Sequence, residues 1–539
     1  QGADSVSWTE PANWTAGVPT EACAGLVNAA GQTVEVLADV TADAVGTVEL
    51  EAGTVSVKGT LPIAILEHHE RFVVGAQGEL QIDGGTVTAA HAKGADDYAL
   101  HLDGGTLALT GAATLDLRAS KGLLGTGSVT VDTTAGAAIQ VSKDEKQDAC
   151  FSTGDSEGTL EMTVGRQAFA PAKAGHIVFG DSQKGTFRLT VEDRGPGDAS
   201  ALLVNGKVYP YAFYVGRQAG VADVVLQSGR LGGLNGVCRR GVIVAGVTGA
   251  NAVVTGRVTV AGGQVAVSAS TLTDYWSGVG FGVSTQATDP SAVRGELKLE
   301  DGLVQVSNKS PLGFGVGNAT GVGLQTGGTV DVTQSAGAVV LGYGSGTGEY
   351  VLSNGTFATG RPLYVGGCQK TDVQSAYFEG VSRAGRGAAT GRLCARGGTL
   401  AATNELGIVV GADGRGRLEI GPDGNVTAKA LVLSNNVEGV LAFELDARKA
   451  GALTVDRLVI APGAKLEIDA RALAADSNTT IRLADCGTVE GSFAASDVTL
   501  WIPDGQEKRF ARAVILTERS GKKGLWLMIQ PRGLLMVIR

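Results

Sequence analysis

The histidines are the residues with the most obvious chemical potential, but their spacing does not build a site. His68 and His69 stand side by side between Glu67 and Glu70 in the run LEHHERF. Adjacent residues of a strand point to opposite faces, so these two imidazoles are poorly placed to share one metal ion. No serine–histidine–aspartate or cysteine–histidine arrangement occurs at a recognisable spacing. The sequence therefore predicts no catalytic residue, no metal ligand and no cofactor.

Acidic residues offer a second chemistry, the general acid–base cleavage of glycosidic bonds by two carboxylates. Enzymes built on β-helices carry such carboxylates, or basic residues, on one outer sheet. The candidate acids are Asp96 with Asp97, Asp144 with Glu145, and Asp301. None lies in a recognisable motif, so a polysaccharide lyase or glycoside hydrolase is the less favoured alternative.

Cysteines and glycine–aspartate turns are the remaining candidates. Six cysteines are spread without a C-x-x-C spacing, which argues against zinc or redox chemistry. Cys368 and Cys394 lie about one repeat apart and are the predicted disulfide pair, the alternative being buried thiols. The turns GADGRG and GPDGN resemble calcium-binding turns but lack the strict nonapeptide, which favours plain turn chemistry.

A glycine-rich repeat must position all of these side chains. The unit has two apolar residues, Gly, a variable turn, an alternating strand, Gly-Gly or Asx-Gly, and another alternating strand, as in IVVGADGRGRLEIGPDGNVTA from Ile408. Its steps of about 24–36 residues lie in the range of solenoids and propellers. The first glycines of the unit are Gly216, Gly246, Gly282, Gly317, Gly342 and Gly366.

This repeat predicts an all-β chain folded as a parallel β-solenoid, or β-helix. Glycine adopts the positive φ that a tight corner between strands requires. Alternation predicts that Leu80 and Ile82, Leu297 and Leu299, and Leu418 and Ile420 point into the core. A propeller would need four-stranded blades with a blade signature, and neither is evident.

The composition of the chain argues against nucleic acid as a binding partner and against a membrane-spanning helix. The 539 residues include 82 glycines, and 54 acidic against 44 basic side chains give a formal charge of −10. Nucleic acid is not an expected partner because phosphate binding needs a cationic stripe. No apolar run approaches the roughly 18 residues of a membrane-spanning helix, so no transmembrane segment is predicted.

The repeat resembles the glycine-rich repeat of type V secretion passengers and PEP-CTERM-associated bacterial surface proteins, close to VGxxGxGxLxIxGGxVTA. The opening SWTEPANWTAGVPTEA is similar to the start of such proteins. The resemblance spans most of residues 30–470. It implies a secreted, extracellular protein of the bacterial cell surface with a structural, adhesive or unassigned role. No β-barrel domain and no Pro-Glu-Pro with a membrane helix accompanies the repeat.

The two ends are predicted to differ from the middle. Residues 1–30, with Trp8 and Trp14, are interpreted as an N-terminal cap or as a surface for another subunit's last coil. Residues 31–435 form the glycine-rich solenoid, and residues 436–539 form a β-rich region with a hairpin of 513–518 and 524–530. The tail holds the predicted assembly residues: Leu534, Leu535, Met536, Val537 and Ile538.

These observations favour a structural protein, a building block of a surface layer, sheath or filament. Copies of the chain would join head-to-tail by edge-strand pairing, because a bare solenoid end is an exposed sheet edge. The tail has two interpretations: a strand that pairs with its own domain, or a strand donated to the next copy. An adhesin that binds surface glycans through exposed loops is the alternative function.

Overall fold

The computed structural model describes residues 6–15, 18–19, 25–40, 48–65, 72–91, 98–141, 147–171, 175–204, 212–233, 241–247, 252–269, 278–284, 287, 289–368, 388–447, 449–474, 480–510 and 513–529. The chain divides into two compact units, Gln1–Thr273 and Asp274–Arg539. Each unit consists almost entirely of strands. Within the described residues, no helix is long and apolar enough to cross a membrane.

The first unit has short 3₁₀ turns at Pro11–Asn13 and Thr133–Ala135. Its strands are β1 (Val6–Ser7), β2 (Gly25–Val36), β3 (Val48–Val57), β4 (Thr60–Ile65), β5 (Phe72–Asp83), β6 (Thr86–His91), β7 (Leu100–Thr110), β8 (Thr114–Asp116), β9 (Gly122–Val131), β10 (Ala138–Val141), β11 (Ala149–Ser152), β12 (Thr159–Val164), β13 (Phe169–Pro171), β14 (Ile177–Asp181), β15 (Thr186–Val191), β16 (Ala212–Arg217), β17 (Gly220–Leu226), β18 (Arg230–Gly233), β19 (Gly241–Val247), β20 (Val254–Val260) and β21 (Gln264–Ala269).

The second unit has a 3₁₀ turn at Ala495–Asp497 and one short helix, α1 (Glu507–Phe510). Its strands are β22 (Gly278–Ser284), β23 (Val293–Leu299), β24 (Leu303–Asn308), β25 (Leu312–Gly317), β26 (Thr320–Gln325), β27 (Thr329–Val332), β28 (Val339–Gly344), β29 (Thr347–Leu352), β30 (Thr356–Thr359), β31 (Leu363–Val365), β32 (Ala389–Ala395), β33 (Thr399–Ala402), β34 (Ile408–Val410), β35 (Gly414–Ile420), β36 (Asn425–Leu433), β37 (Glu438–Glu444), β38 (Ala452–Ile460), β39 (Lys465–Asp469), β40 (Thr480–Glu490), β41 (Val498–Trp501), β42 (Val514–Arg519) and β43 (Lys522–Met528).

Each circuit of the chain, here called a coil, runs through three sides, a, b and c. In the second unit β25, β28, β31 and β34 stack in parallel on side a. Strands β26, β29, β32, β35, β37, β39 and β41 stack on side b, and β24, β27, β30 and β33 stack on side c. Parallel stacking of three sides confirms the predicted β-solenoid.

The same three sides occur in the first unit with different strand boundaries. Strands β5, β7 and β9 each run through sides a and b without a break, pairing in parallel with register shifts near the corner. From β11 and β12 onward the two sides are separate strands, because β9 pairs with both of them. Side c begins as its own sheet of β4, β6, β8, β10 and β13.

The corner between sides a and b explains the first glycine of the repeat. Register aligns one residue per coil at this corner, and each of these residues has φ between +57° and +81°. L-residues pay about 1–2 kcal/mol for this left-handed conformation, whereas glycine does not. The aligned positions are Gly180, Gly216 and Ala245 in the first unit, and Gly282, Gly315, Gly342, Gly366 and Gly411 in the second.

Two of the glycines taken as the anchor of the repeat are therefore wrong by one or two positions. The corner residue is Ala245 rather than Gly246, and Gly315 rather than Gly317. Gly317 also has a positive φ, of 79°, but it lies at the end of β25. Ala245 is hidden from sequence inspection because a glycine follows it directly.

A second glycine column lets sides a and b approach each other inside the coil. Gly321, Gly348, Gly391 and Gly416 align on side b. A Cβ atom on Gly348 would lie 2.3 Å from the backbone nitrogen of Gly342 and 2.4 Å from the carbonyl oxygen of Phe314. Main-chain atoms cannot move aside cheaply, so only glycine fits.

Alternating residues of side b fill the core. Leu80, Ile82, Leu299, Leu418 and Ile420 are fully buried and Leu297 is 2% exposed, which confirms the predicted inward positions. Aromatic rings stack between coils, with Phe281 and Phe314 centroids 4.8 Å apart. Tyr350 is fully buried beside Phe314, and its hydroxyl donates to Gln325 Oε1 at 2.8 Å.

The sequence changes near residue 435, but the strand pairing does not. Strands β37, β39 and β41 continue side b, and β38 continues sides c and a, in the same parallel ladder. The antiparallel hairpin β42–β43 follows, turning through Ser520 and Gly521, which both have positive φ. This hairpin confirms the one predicted around those two residues.

Candidate functional site

The last strand of side b is an edge. Strand β41 pairs in parallel with β39, and among the described residues no strand pairs with its other side. The Trp501 carbonyl accepts a hydrogen bond from the Ala470 N–H at 2.8 Å, so Trp501 and Thr499 face β39. Backbone groups alternate in direction along a strand. The N–H and C=O groups of Val498 and Leu500 therefore face the unpaired side.

An apolar cavity of about 400 Å³ lies beneath this edge. Val498 and Leu500 point towards it and are only half-buried, whereas Leu466 and Ile468, the matching residues of the preceding coil, are fully buried. The inner face of the last coil thus lacks the cover that every inner coil receives. The cavity is lined by Ile468, Phe493, Ala495, Val498, Leu500, Phe510, Ala513, Val514, Ile515 and Leu527.

The hairpin and α1 cover this end only in part. Strand β43 pairs antiparallel with β40, and Leu525 and Leu527 are buried against the core. Phe510 of α1 is 6% exposed. Val514, on the far strand of the hairpin, remains 38% exposed beside the cavity. The cap therefore protects β40 and leaves the β41 edge open among the described residues.

The two N-terminal tryptophans pack against each other. Trp8 is fully buried, and Trp14 packs edge-on against it with ring centroids 5.0 Å apart. Trp14 Nε1 donates to the Trp8 carbonyl at 2.8 Å, and the Trp8 N–H donates to the Glu35 carbonyl at 2.8 Å. The Trp8 ring is buried and is not available to another copy, whereas Trp14 is only half-buried, so its contact with another subunit stays a prediction.

A shallow groove opens on the outer face of side b in the last coils. It encloses about 190 Å³ and is lined by Arg417, Glu419, Ala442, Phe443, Glu444, Asp469, Arg471 and Trp501. Register places Glu444, Asp469 and Trp501 side by side on three successive coils. The Trp501 side chain is 40% exposed, an unusual position for the largest apolar residue.

Ion pairs hold the walls of this groove. Glu419 accepts hydrogen bonds from Arg392 at 3.1 Å, Arg417 at 3.3 Å and the Cys394 thiol at 3.2 Å. Burial opposes ionisation of Glu419, but these donors outweigh it and hold the pKa of the carboxyl below its usual value. Asp469 pairs with Arg471, whose hydrogen bonds likewise lower the pKa of Asp469. Both carboxylates are fixed anions at neutral pH.

A buried ionic cluster lies on side a of the first unit. Arg217 donates to both carboxylate oxygens of Asp181, at 2.9 and 3.0 Å, and to Asp148 at 2.6 Å. Lys121 Nζ lies 3.6 Å from Asp181. Burial, together with the Asp181 charge, raises the pKa of the neighbouring Cys150 thiol to about 12. A protonated thiol is a poor nucleophile, so Cys150 is not activated for nucleophilic chemistry at neutral pH.

Several predicted residues fall outside the described part of the chain: the tail residues Leu534, Leu535, Met536, Val537 and Ile538, the histidine pair, and the acids Asp96, Asp97, Asp144 and Glu145. Asp301 is described. Its carboxylate accepts the Gly302 N–H at 2.7 Å, which is the hydrogen bond of a turn.

The disulfide prediction is not met. Cys368 and Cys394 are separate buried thiols. Cys368 follows β31 on side a, and Cys394 lies in β32 on side b of the same coil. Their spacing of about one repeat therefore comes from an insertion within one coil, and not from stacking of two coils.

The glycine–aspartate turns act as turns where the structure describes them. Asp423 pairs with Lys449 Nζ at 2.8 Å. In the described ranges, no group of three histidine, cysteine or acidic side chains is arranged to hold a metal ion.

Sequence reasoning missed Val498, Leu500 and Trp501. Their run DVTLWIP reads as an ordinary alternating strand, and only the structure shows that it is the last strand of its side. Comparison with known proteins adds no relative: no family model, no curated protein and no solved structure matches this chain.

Proposed function

We propose that this protein is an extracellular structural β-solenoid, a building block of a surface layer, sheath or filament joined by edge-strand pairing. The observation that carries the proposal is the β41 edge, with its outward N–H and C=O groups and its half-buried Val498 and Leu500. Natural proteins usually blunt such edges with charge, proline or a covering element. Here the side chains that alternate along β41 are Val, Thr, Leu and Trp.

Two kinds of interaction would stabilise a strand added to this edge. Hydrogen bonds with the outward groups of Val498 and Leu500 contribute about 0.5–1.5 kcal/mol each. Apolar side chains on its inner face would enter the 400 Å³ cavity and complete the burial of Val498 and Leu500. This is recognition by β-augmentation, in which backbone pairing supplies affinity and alternate side chains supply specificity.

The proposed occupant is the apolar segment 534–538 of another copy. The last described residue, Ile529, is 1% exposed and follows β43, whose Leu527 lines the cavity. The described chain thus ends next to a strand that lines the cavity. The extracellular location rests on the resemblance of the repeat to bacterial surface proteins.

Two lysine substitutions on one strand test the proposal. Leu500→Lys places a charge on the inner face of the edge, where an added strand would bury it at high cost. Thr499→Lys adds the same charge on the exposed outer face and is the matched control. Sedimentation velocity and negative-stain imaging should show polymers of the unaltered chain and of Thr499→Lys, and single copies of Leu500→Lys.

Controls separate assembly from folding. Circular dichroism must show that Leu500→Lys retains its β spectrum. A chain lacking residues 530–539 should be folded and unassembled. It should bind a second protein to which the peptide of residues 530–539 has been fused. The proposal fails if the unaltered chain stays a single copy at high concentration, or if Leu500→Lys polymerises as well as Thr499→Lys.

A further inference from the structure

The outer-face groove beside Trp501 has the features of a carbohydrate site, and this inference does not depend on assembly. Its floor is Ala442, a small residue between the acidic neighbours Glu419 and Glu467 in the same column. The small side chain leaves the 190 Å³ depression between longer ones. Four coils contribute, so the groove extends about 14 Å at the 4.7–4.9 Å spacing of strands.

The hydrogen-bonding groups of the groove are divided between occupied and available ones. Glu419 already accepts three hydrogen bonds, and Asp469 is held by Arg471 through Nε and Nη2. Glu444 is exposed, and its charge helps to raise the pKa of Arg471, but no described residue donates a hydrogen bond to its carboxylate. Arg471 Nη1 likewise has no acceptor among the described residues. A ligand thus meets one carboxylate acceptor and one guanidinium donor.

Trp501 adds an apolar platform next to these two groups. A pyranose ring carries an apolar face of C–H groups and a rim of hydroxyls, which both donate and accept hydrogen bonds. The apolar face of the sugar can stack on the indole of Trp501, while its hydroxyls form hydrogen bonds with a carboxylate and a guanidinium. We propose that this groove binds an uncharged oligosaccharide, with Trp501 as the stacking platform and Glu444 as the principal acceptor.

Charge decides between ligand classes. The lining holds Glu419, Glu444 and Asp469 against Arg417 and Arg471, so an excess of one negative charge disfavours acidic sugars. The same excess of negative charge would attract a cationic peptide side chain towards Trp501 and Glu444, and the hexalysine probe below tests that alternative. An uncharged sugar is not repelled by the lining and can use both its acceptor and its donor groups.

Isothermal titration calorimetry with defined probes tests the proposal. The probes are β-linked hexamers of glucose, xylose and N-acetylglucosamine, a hexagalacturonate, and a hexalysine peptide. At least one uncharged hexamer should bind, and Trp501→Ala should weaken it about tenfold, a change of about 1.4 kcal/mol. Trp501→Phe, which keeps a ring, should retain most of the affinity, and Glu444→Gln should lose part of it.

Matched controls make each outcome decisive. Val437→Ala alters another exposed apolar side chain, 42% exposed, outside the groove lining and should bind as the unaltered chain does. Titrations repeated on Leu500→Lys separate sugar binding from assembly, because that variant keeps the groove lining intact. The inference is overturned if no uncharged hexamer binds, if Trp501→Ala binds equally well, or if hexagalacturonate or hexalysine is the preferred probe.

Discussion

Replacement of Gly342 by alanine tests how the corners hold the solenoid together. Gly342 has a φ of 75°, and an added Cβ atom would lie 2.3 Å from the Thr390 carbonyl oxygen of the next coil. The left-handed conformation costs about 1–2 kcal/mol. Relief of the clash requires a backbone shift in a packed region, which costs about 1–3 kcal/mol more. We expect Gly342→Ala to lower the free energy of unfolding by roughly 2–5 kcal/mol.

Gly84 supplies the matched control for this prediction. Its φ is 71°, almost the same, but an added Cβ atom would meet nothing within 4 Å. Gly84→Ala should therefore cost only the conformational part, about 1–2 kcal/mol. Denaturant midpoints measure both variants, and hydrogen exchange of β28 and β32 shows whether the loss is local. Equal midpoints for the two variants would refute the argument that close stacking, and not φ alone, demands glycine.

Four further predictions concern other parts of the chain. Ala245→Gly should raise stability by roughly 0.5–1 kcal/mol, because relief of left-handed strain exceeds the entropy cost of glycine; a lower melting temperature would contradict this. Asp181→Asn should cost about 3 kcal/mol at pH 7 by breaking the buried pair with Arg217. The Arg217 hydrogen bonds outweigh burial and lower the pKa of Asp181, so its stabilisation is present above its unfolded pKa and fades as pH falls through the folded one; melting curves that differ equally at pH 7 and pH 2 would exclude this linkage. Cys150 should resist iodoacetamide at pH 8 in the folded chain and react in urea, and equal labelling in both would show an accessible thiolate. Trp8→Ala should cost about 3–5 kcal/mol, and an unchanged midpoint would mean that the N-terminal cap is not needed.

The fold could be predicted from sequence because two physical constraints restrict which residue types occur at regular positions. Positive φ demands glycine at corners, and burial demands alternating apolar residues such as Leu418 and Ile420 on side b. Both constraints recur in many coils, so the pattern is seen many times. Ala245 was missed because it adopts the corner conformation without the residue type that signals it.

The candidate sites were harder to predict because they depend on register between distant segments. Nothing in the local sequence places Glu444, Asp469 and Trp501 in one row, and only parallel pairing of three coils brings them together. Strand β41 is likewise an edge only because no other described strand pairs with its outer side, and the local sequence does not show this. The disulfide prediction failed for the same reason, because sequence spacing does not reveal which side of a coil each cysteine occupies.

Hydrogen–deuterium exchange at the β41 edge tests the central proposal most directly. The amides of Val498 and Leu500 face the unpaired side, so they should exchange rapidly in dilute single copies of the chain. On assembly they should become protected by the strand of another copy, while the exposed hairpin turn at Ser520 continues to exchange. Amides of β41 that exchange equally fast in assembled and dilute samples would contradict edge pairing as the basis of assembly.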